Sequence, residues 1–249
     1  MTMRLMSTNS QAIVAATVTT AMLAVTVACA RESAPADRLL DEFEKTSVSW
    51  RQLDIARQIV RTGDQRAVQR LASWLDHEDR HLRGNAAFVL AALGDDRGFQ
   101  TIVAMVTDRS ARPEGQGIPN AGFSVARQIR TDRYYAVHLL GELKNPRAVD
   151  LLLPLLNDTD VNDKVAWTLA EIGDERARAP LIAALDDRDA HARVSAIQAL
   201  VKLNAVEALP KLHELLSDDE LPSAGDRVPV AETARAAIAE IEKSRRARN

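Results

Sequence analysis

An all-α, right-handed α-solenoid of about five helix pairs, preceded by an N-terminal capping pair, is the fold this 249-residue sequence predicts. Three observations carry that expectation. Short segments of one type recur at Gly63-Asp64-Gln65-Arg66-Ala67, Gly94-Asp95-Asp96-Arg97-Gly98, Lys144-Asn145-Pro146-Arg147-Ala148, Gly173-Asp174-Glu175-Arg176-Ala177 and Asn204-Ala205-Val206-Glu207-Ala208. Their starts lie 31, 50, 29 and 31 residues apart, and a period near 30 marks an array of helical repeats. Aromatic residues are only 4% of the chain while 46% is hydrophobic, a balance that favours packed helices over sandwiches rich in aromatic and β-branched residues. Between the recurring segments, apolar residues follow helical spacing on narrow, Ala-rich faces. No pair buries a core alone, so neighbouring pairs must stack.

Each element follows in order. A weaker pair, 37–45 and 48–62, starts the array as a cap. The A helices are expected at 65–75, 96–107, 146–157, 175–185 and 206–216, and the B helices at 80–93, 126–143, 161–172, 190–203 and 229–246. Gly63, Gly94 and Gly173 end B helices, where a left-handed residue is needed. The Asp or Asn that follows caps the next helix by accepting from its free N–H groups. Pro146 fits a first helical position, because its missing N–H would have no partner there. Trp50 and Trp74 read as core or cap residues.

Residues 77–81 read HEDRH, formally the zinc-protease pattern H-E-x-x-H. That chemistry needs both histidines on one continuous helix with Glu between them as base, plus a third ligand. In the repeat register these five residues fall between Leu75, near the end of an A helix, and Leu82, early in a B helix. Asp79 aligns with Asp160 and Asp189, each opening a B helix, so it is expected to cap one. No metal and no cofactor are expected.

The pattern Arg83…Ala86-Ala87…Leu90…Leu93-Gly94-Asp95, and the run VAWTLAEIGDERARAPLIAAL at 165–185, resemble the HEAT-like repeats first described in phycobilisome lyases. The resemblance covers residues 46–248 and implies the fold; the family hosts scaffolds, lyases, hydroxylases and DNA-repair enzymes, so it leaves the function open. His77-Glu78 and His213-Glu214 are His-Glu pairs of the type iron hydroxylases of this fold use, but one falls in a turn and the other inside an A helix. A HEAT-like DNA glycosylase needs a basic face, whereas the net charge is −3, so no nucleic-acid partner is expected.

The surface offers a candidate partner groove. Arg83, Arg133, Asn162 and Arg193 share an early B-helix position; the arginines read as a ladder joining repeats, with Asp79, Asp160 and Asp189 as candidate partners. Five residues on stand Phe88, His138, Trp167 and Gln198, and the adjoining ridge holds Asn85, Tyr135, Lys164 and Ser195. The resemblance implies that B helices line the concave surface. A row of Phe, His and Trp there suits a protein partner, although Phe88 and Trp167 also suit gaps between repeats. The 50-residue interval adds an insertion near 108–126, DRSARPEGQGIPNAGFSVA, whose Gly and Pro mark a loop. Arg112, Phe123, Arg127 and Arg130 in and beside it are further candidate contacts.

The first 28 residues have the layout of a secretory signal: Arg4 in a positive start, then an uncharged, mostly apolar run from Ala12 to Ala28. Val27-Ala28-Cys29 resembles a bacterial lipobox, which implies lipidation of Cys29, the chain's one cysteine. A plain cleavage site at Ala28-Cys29-Ala30 and a single membrane span remain open alternatives. The resulting organisation is a signal over 1–28, a linker over 29–36 and a repeat domain over 37–248. With no catalytic constellation legible, the functional expectation is a non-catalytic, exported, membrane-anchored scaffold that binds a protein of the bacterial envelope. The alternative is a HEAT-like enzyme of metal-dependent hydroxylase or lyase type.

Overall fold

The computed structural model describes residues 35–111, 124–223 and 227–248. Among these, every regular element is a helix. The capping pair is α1 (Pro35–Lys45) and α2 (Ser49–Thr62). The second pair joins α3 (Arg66–Leu71), extended by a 3-10 turn over Ala72–Asp76, to α4 (Arg80–Ala92). The third joins α5 (Asp96–Thr107) to α6 (Val125–Leu143), with the insertion between them. The fourth joins α7 (Val149–Leu152), flanked by 3-10 turns, to α8 (Asn162–Ile172). The fifth joins α9 (Arg178–Ala183), again flanked by 3-10 turns, to α10 (Ala190–Lys202). The sixth joins α11 (Leu209–Glu214) to α12 (Val230–Arg248). The B helices α2, α4, α6, α8, α10 and α12 pack in that order as one continuous row, each backed by its A element.

The junctions form as the sequence chemistry requires. Gly63, Gly94 and Gly173 have φ of 66°, 91° and 76°, and Lys144 and Asn204 take the same left-handed role at 49°. Asp95, Asn145 and Asp174 then accept from the backbone N–H two residues on. The A elements differ from the continuous helices expected after α5. Pro180 and Pro210 stand four residues beyond Arg176 and Val206 and offer no N–H to those carbonyls, so the first turn of each A element tightens to 3-10.

In the turn that HEDRH occupies, the Asp79 carboxylate accepts from the N–H groups of His81 and Leu82 at 2.8 and 3.1 Å and starts α4. His77 lies before that cap; its Nδ1 accepts from the Asp79 N–H at 3.0 Å and its ring stacks on Trp74 at 5.0 Å. His81 lies in the first turn of α4 and meets Tyr135 edge-on at 4.6 Å. The two histidines therefore do not share one helix. Among the described residues, no group of three or more His, Cys, Asp or Glu side chains is placed to hold a metal ion.

The arginine ladder exists; of the expected partners Asp160 approaches Arg133 at 3.5 Å, while the shorter pairs fall on other carboxylates. Arg133 is 1% exposed; it donates to Val106 O at 2.8 Å and to Asp158 at 2.6 Å. Arg193 donates to Asp218 at 2.9 Å and Glu220 at 2.7 Å. Each carboxylate partner lies in the A–B turn of the following pair. Asp79 and Asp189 are occupied in capping their own helices, which leaves the aspartate one turn further along the stack to take the guanidinium. Asp160 is not a cap: Val161 precedes α8, and the Asp160 N–H donates to Asp158 at 3.2 Å. Arg83 donates to His77 O at 3.0 Å, while its neighbour Arg80 makes the buried ion pairs, to Asp108 at 3.0 Å and Asp132 at 3.1 Å. Trp50, expected as a core or cap residue, lies in α2 of the capping pair and is 68% exposed.

Candidate functional site

Helices α2 and α6 stand two steps apart in the B row, yet Arg57 of α2 grips Glu142 of α6 with two hydrogen bonds, 3.0 and 3.1 Å long. Elements two steps apart touch side chain to side chain on the inside of a curve, so the B row is the inner face. At the position of Glu142, the intervening α4 carries Ala92, small enough to let the pair close over it.

Between α6 and α8 lies a pocket of about 240 Å³, lined by His138, Gly141, Glu142, Lys144, Lys164, Trp167, Thr168 and Glu171. Gly141 sets its floor. A Cβ there would stand 3.2 Å from Thr168 Oγ1, so the absent side chain lets the two helices approach closely. Thr168, 1% exposed, donates in turn to Val137 O at 3.3 Å. Trp167 presents a ring that is 43% exposed, with the Lys202 ammonium 4.6 Å from its centroid.

The charges of this pocket are unevenly paired. Burial works against the Glu142 carboxylate, but the bonded Arg57 guanidinium holds it below the usual range. His138 Nε2 lies 3.8 Å from Glu142. Burial, aided by the Lys164 charge, pushes the imidazole below its ordinary value, with Glu142 opposing, so His138 is neutral at neutral pH. Glu171 takes two cations, Lys202 and, at 3.8 Å, Lys144. Lys164 lies 5.6 Å from the Tyr134 ring centroid. Burial lowers its pKa, against the pull of Asp163, Glu142 and Glu171. The pocket thus offers an aromatic plate, a neutral imidazole, two held carboxylates and three amines.

His138, Trp167 and Lys164 from the expected row come together here. Gln198 is exposed on α10, outside the pocket lining. Phe88 corrects the expectation: it is 5% exposed and belongs to the core. Tyr135 is half-buried, and its hydroxyl donates to Asn85 Oδ1. Asn85 is itself fully buried and donates to Gln52 Oε1 at 2.9 Å, so that ridge holds pairs together. Arg127 and Arg130 line a separate groove of about 650 Å³ with Ala126, Thr131, Tyr134 and Asp160, where Arg130 Nε donates to Asp160 O at 3.1 Å. Cys29, Arg112 and Phe123 lie outside the described residues. The residues missed were Glu142, Glu171 and Lys202. They stand four beyond His138, Trp167 and Gln198, one turn along the same face, so helical spacing alone would have found them.

The chain carries HEAT-like repeats: the family model for HEAT repeats matches residues 130–189 and 158–224. It is 32% identical over 145 residues to the bilin biosynthesis protein PecE of Nostoc sp., an alignment covering 57% of this chain and 53% of that protein. It is 31% identical over 142 residues to the PecE of Mastigocladus laminosus, covering 56% and 48%. The phycocyanobilin lyase subunit alpha of Synechococcus elongatus is 36% identical over 96 residues, covering 34% and 35%. The chain spans about half the length, or less, of the curated relatives it matches. A crystal structure of an engineered protein, 18% identical, aligns with 85% of this chain and 98% of its own at a TM-score of 0.43.

These relatives overturn three expectations. They are bilin-biosynthesis and lyase proteins, which contradicts the non-catalytic envelope scaffold and the absence of enzymatic activity. Proteins named for bilin biosynthesis and phycocyanobilin lyase activity also contradict the exported, membrane-anchored localisation. The export signal was read from residues outside the described structure. Among the described residues no helix is long and apolar enough to cross a membrane.

Proposed function

We propose that this chain handles a bilin, an open-chain tetrapyrrole, in lyase-type chemistry, and that the pocket between α6 and α8 holds it. The observation that carries this reading is the exposed Trp167 ring set among Lys144, Lys164, Glu142, Glu171 and His138, with the Lys202 ammonium over the ring. A bilin is a conjugated chain of pyrrole-type rings bearing N–H donors and carboxylate arms. A flat aromatic plate suits the ring face, the held carboxylates suit the N–H groups, and amines suit the arms. The relatives named for bilin biosynthesis and phycocyanobilin lyase activity support the same ligand class. His138 supplies a neutral imidazole beside the Trp167 ring, its Nε2 3.8 Å from the Glu142 carboxylate that Arg57 fixes.

Titration of the full chain with phycocyanobilin, followed by its red absorbance band, tests this. Trp167→Ala removes the central aromatic contact and is expected to weaken binding about 30-fold, the ~2 kcal/mol typical of a buried aromatic anchor. Trp50→Ala, at the exposed end of the cap, leaves affinity unchanged. Equal losses in both variants, or no saturable binding by the unaltered chain, would overturn the assignment.

A further inference from the structure

We infer that Lys164 is the carboxylate anchor of this pocket and selects ligands carrying an acid group on a flat conjugated body. The inference rests on the bilin-handling reading for the natural ligand, but not for the chemistry recognised. Of the three lysines lining or overhanging the pocket, Lys144 and Lys202 are both paired with Glu171. Lys164, among the described residues, makes no side-chain hydrogen bond and no ion pair within 4 Å; its ammonium lies 5.6 Å from the Tyr134 ring centroid. It nevertheless lines the pocket beside Trp167 and His138, in surroundings that disfavour a bare ammonium. A half-buried cation whose counter-charges stand beyond ion-pair distance gains when an anion reaches it directly. Of the carboxylates that attract Lys164, Glu142 is bonded by Arg57 and Glu171 is shared by the other two lysines, while Asp163, whose other contact is His191 Nε2 at 3.7 Å, draws it without a direct ion pair. A ligand carboxylate therefore supplies the direct ion pair that Lys164 lacks. The Trp167 ring next to it favours a planar unsaturated body over an aliphatic acid.

The test compares ligands that differ only in the acid. Naphthalene-2-carboxylate and its neutral amide are titrated calorimetrically into the full chain, then phycocyanobilin and its dimethyl ester. The acid is expected to bind about 10- to 100-fold more tightly than the amide, the range of a charge-assisted hydrogen bond. Lys164→Met abolishes that preference, Lys164→Arg restores part of it, and Lys243→Met, exposed on α12 away from the pocket, leaves it in place. Circular dichroism checks that the variants stay helical, and the acid–amide comparison needs no variant. Equal affinity of acid and amide for the unaltered chain overturns the anchor, as does a preference that survives Lys164→Met. If the naphthalene pair behaves as expected but phycocyanobilin does not bind, the anchor stands and the bilin reading fails. If phycocyanobilin and its ester bind alike and Trp167→Ala weakens both, the bilin reading stands and the anchor fails.

Discussion

Asp158→Ala is expected to destabilise the chain by about 3–5 kcal/mol, the cost typical of stripping one partner from a buried ion pair. The cause is Arg133, 1% exposed and unable to leave the stack. Asp158 is its short-range counter-charge at 2.6 Å, while Asp160 is 3.5 Å away. Asp158 also receives Arg109 at 2.6 Å, so one substitution loosens both the third-to-fourth pair joint and the root of the insertion. Urea denaturation of the two chains measures the loss. Acid dependence gives a second reading. Burial works against the Asp158 carboxylate, but hydrogen bonding from Arg133 holds its pKa below the unfolded value. Its stabilisation is therefore complete above the unfolded pKa of about 4 and disappears as pH falls through the lower folded pKa. The unaltered chain loses that increment on acidification; Asp158→Ala has none to lose. A variant within about 0.5 kcal/mol of the parent would mean that Asp160 carries the pair.

Gly98→Ala is expected to cost about 3 kcal/mol, at the upper end of overpacking effects. A Cβ at Gly98 in α5 would fall 2.3 Å from Ala87 O and 2.5 Å from Ala91 N in α4. Both are backbone atoms of a helix buried in the stack, so the two helices must separate. Gly84→Ala is the internal comparison. There the Cβ meets the flexible ends of Leu139, at 2.9 Å, and Met105, at 3.1 Å, and Ala gains roughly 1 kcal/mol over Gly in helix propensity. Thermal unfolding is expected to rank Gly98→Ala well below Gly84→Ala. Equal melting temperatures would show that the α4–α5 joint yields more easily than its backbone contacts indicate.

The fold was legible because its junctions are written in residue types with few alternatives. Gly63, Gly94 and Gly173 mark left-handed ends, and the acid or amide after each marks a cap, so α4 and α6 start and stop within about a residue of expectation. The 3-10 turns of the later A elements were hidden, since they depend on which carbonyl each proline leaves without a donor. The ladder partners were hidden too: Arg133 and Arg193 were recognised, but the Asp that receives each sits in the next pair, a tertiary fact. At the site, periodicity found His138, Trp167 and Lys164. It misjudged Phe88, because a position five residues past the ladder arginine faces inward on α4 and outward on α8. The charge partners Arg57 and Glu142, 85 residues apart, become neighbours only when the row curves.

A crystal of the chain grown with phycocyanobilin tests the central claim most directly. The account predicts bilin density between α6 and α8, with one ring against the Trp167 face, a carboxylate arm at Lys164 Nζ, and Arg57–Glu142 intact beside it. Density instead in the groove of Arg127, Arg130 and Tyr134, or on the A-helix face, with the Trp167 pocket empty, would contradict it.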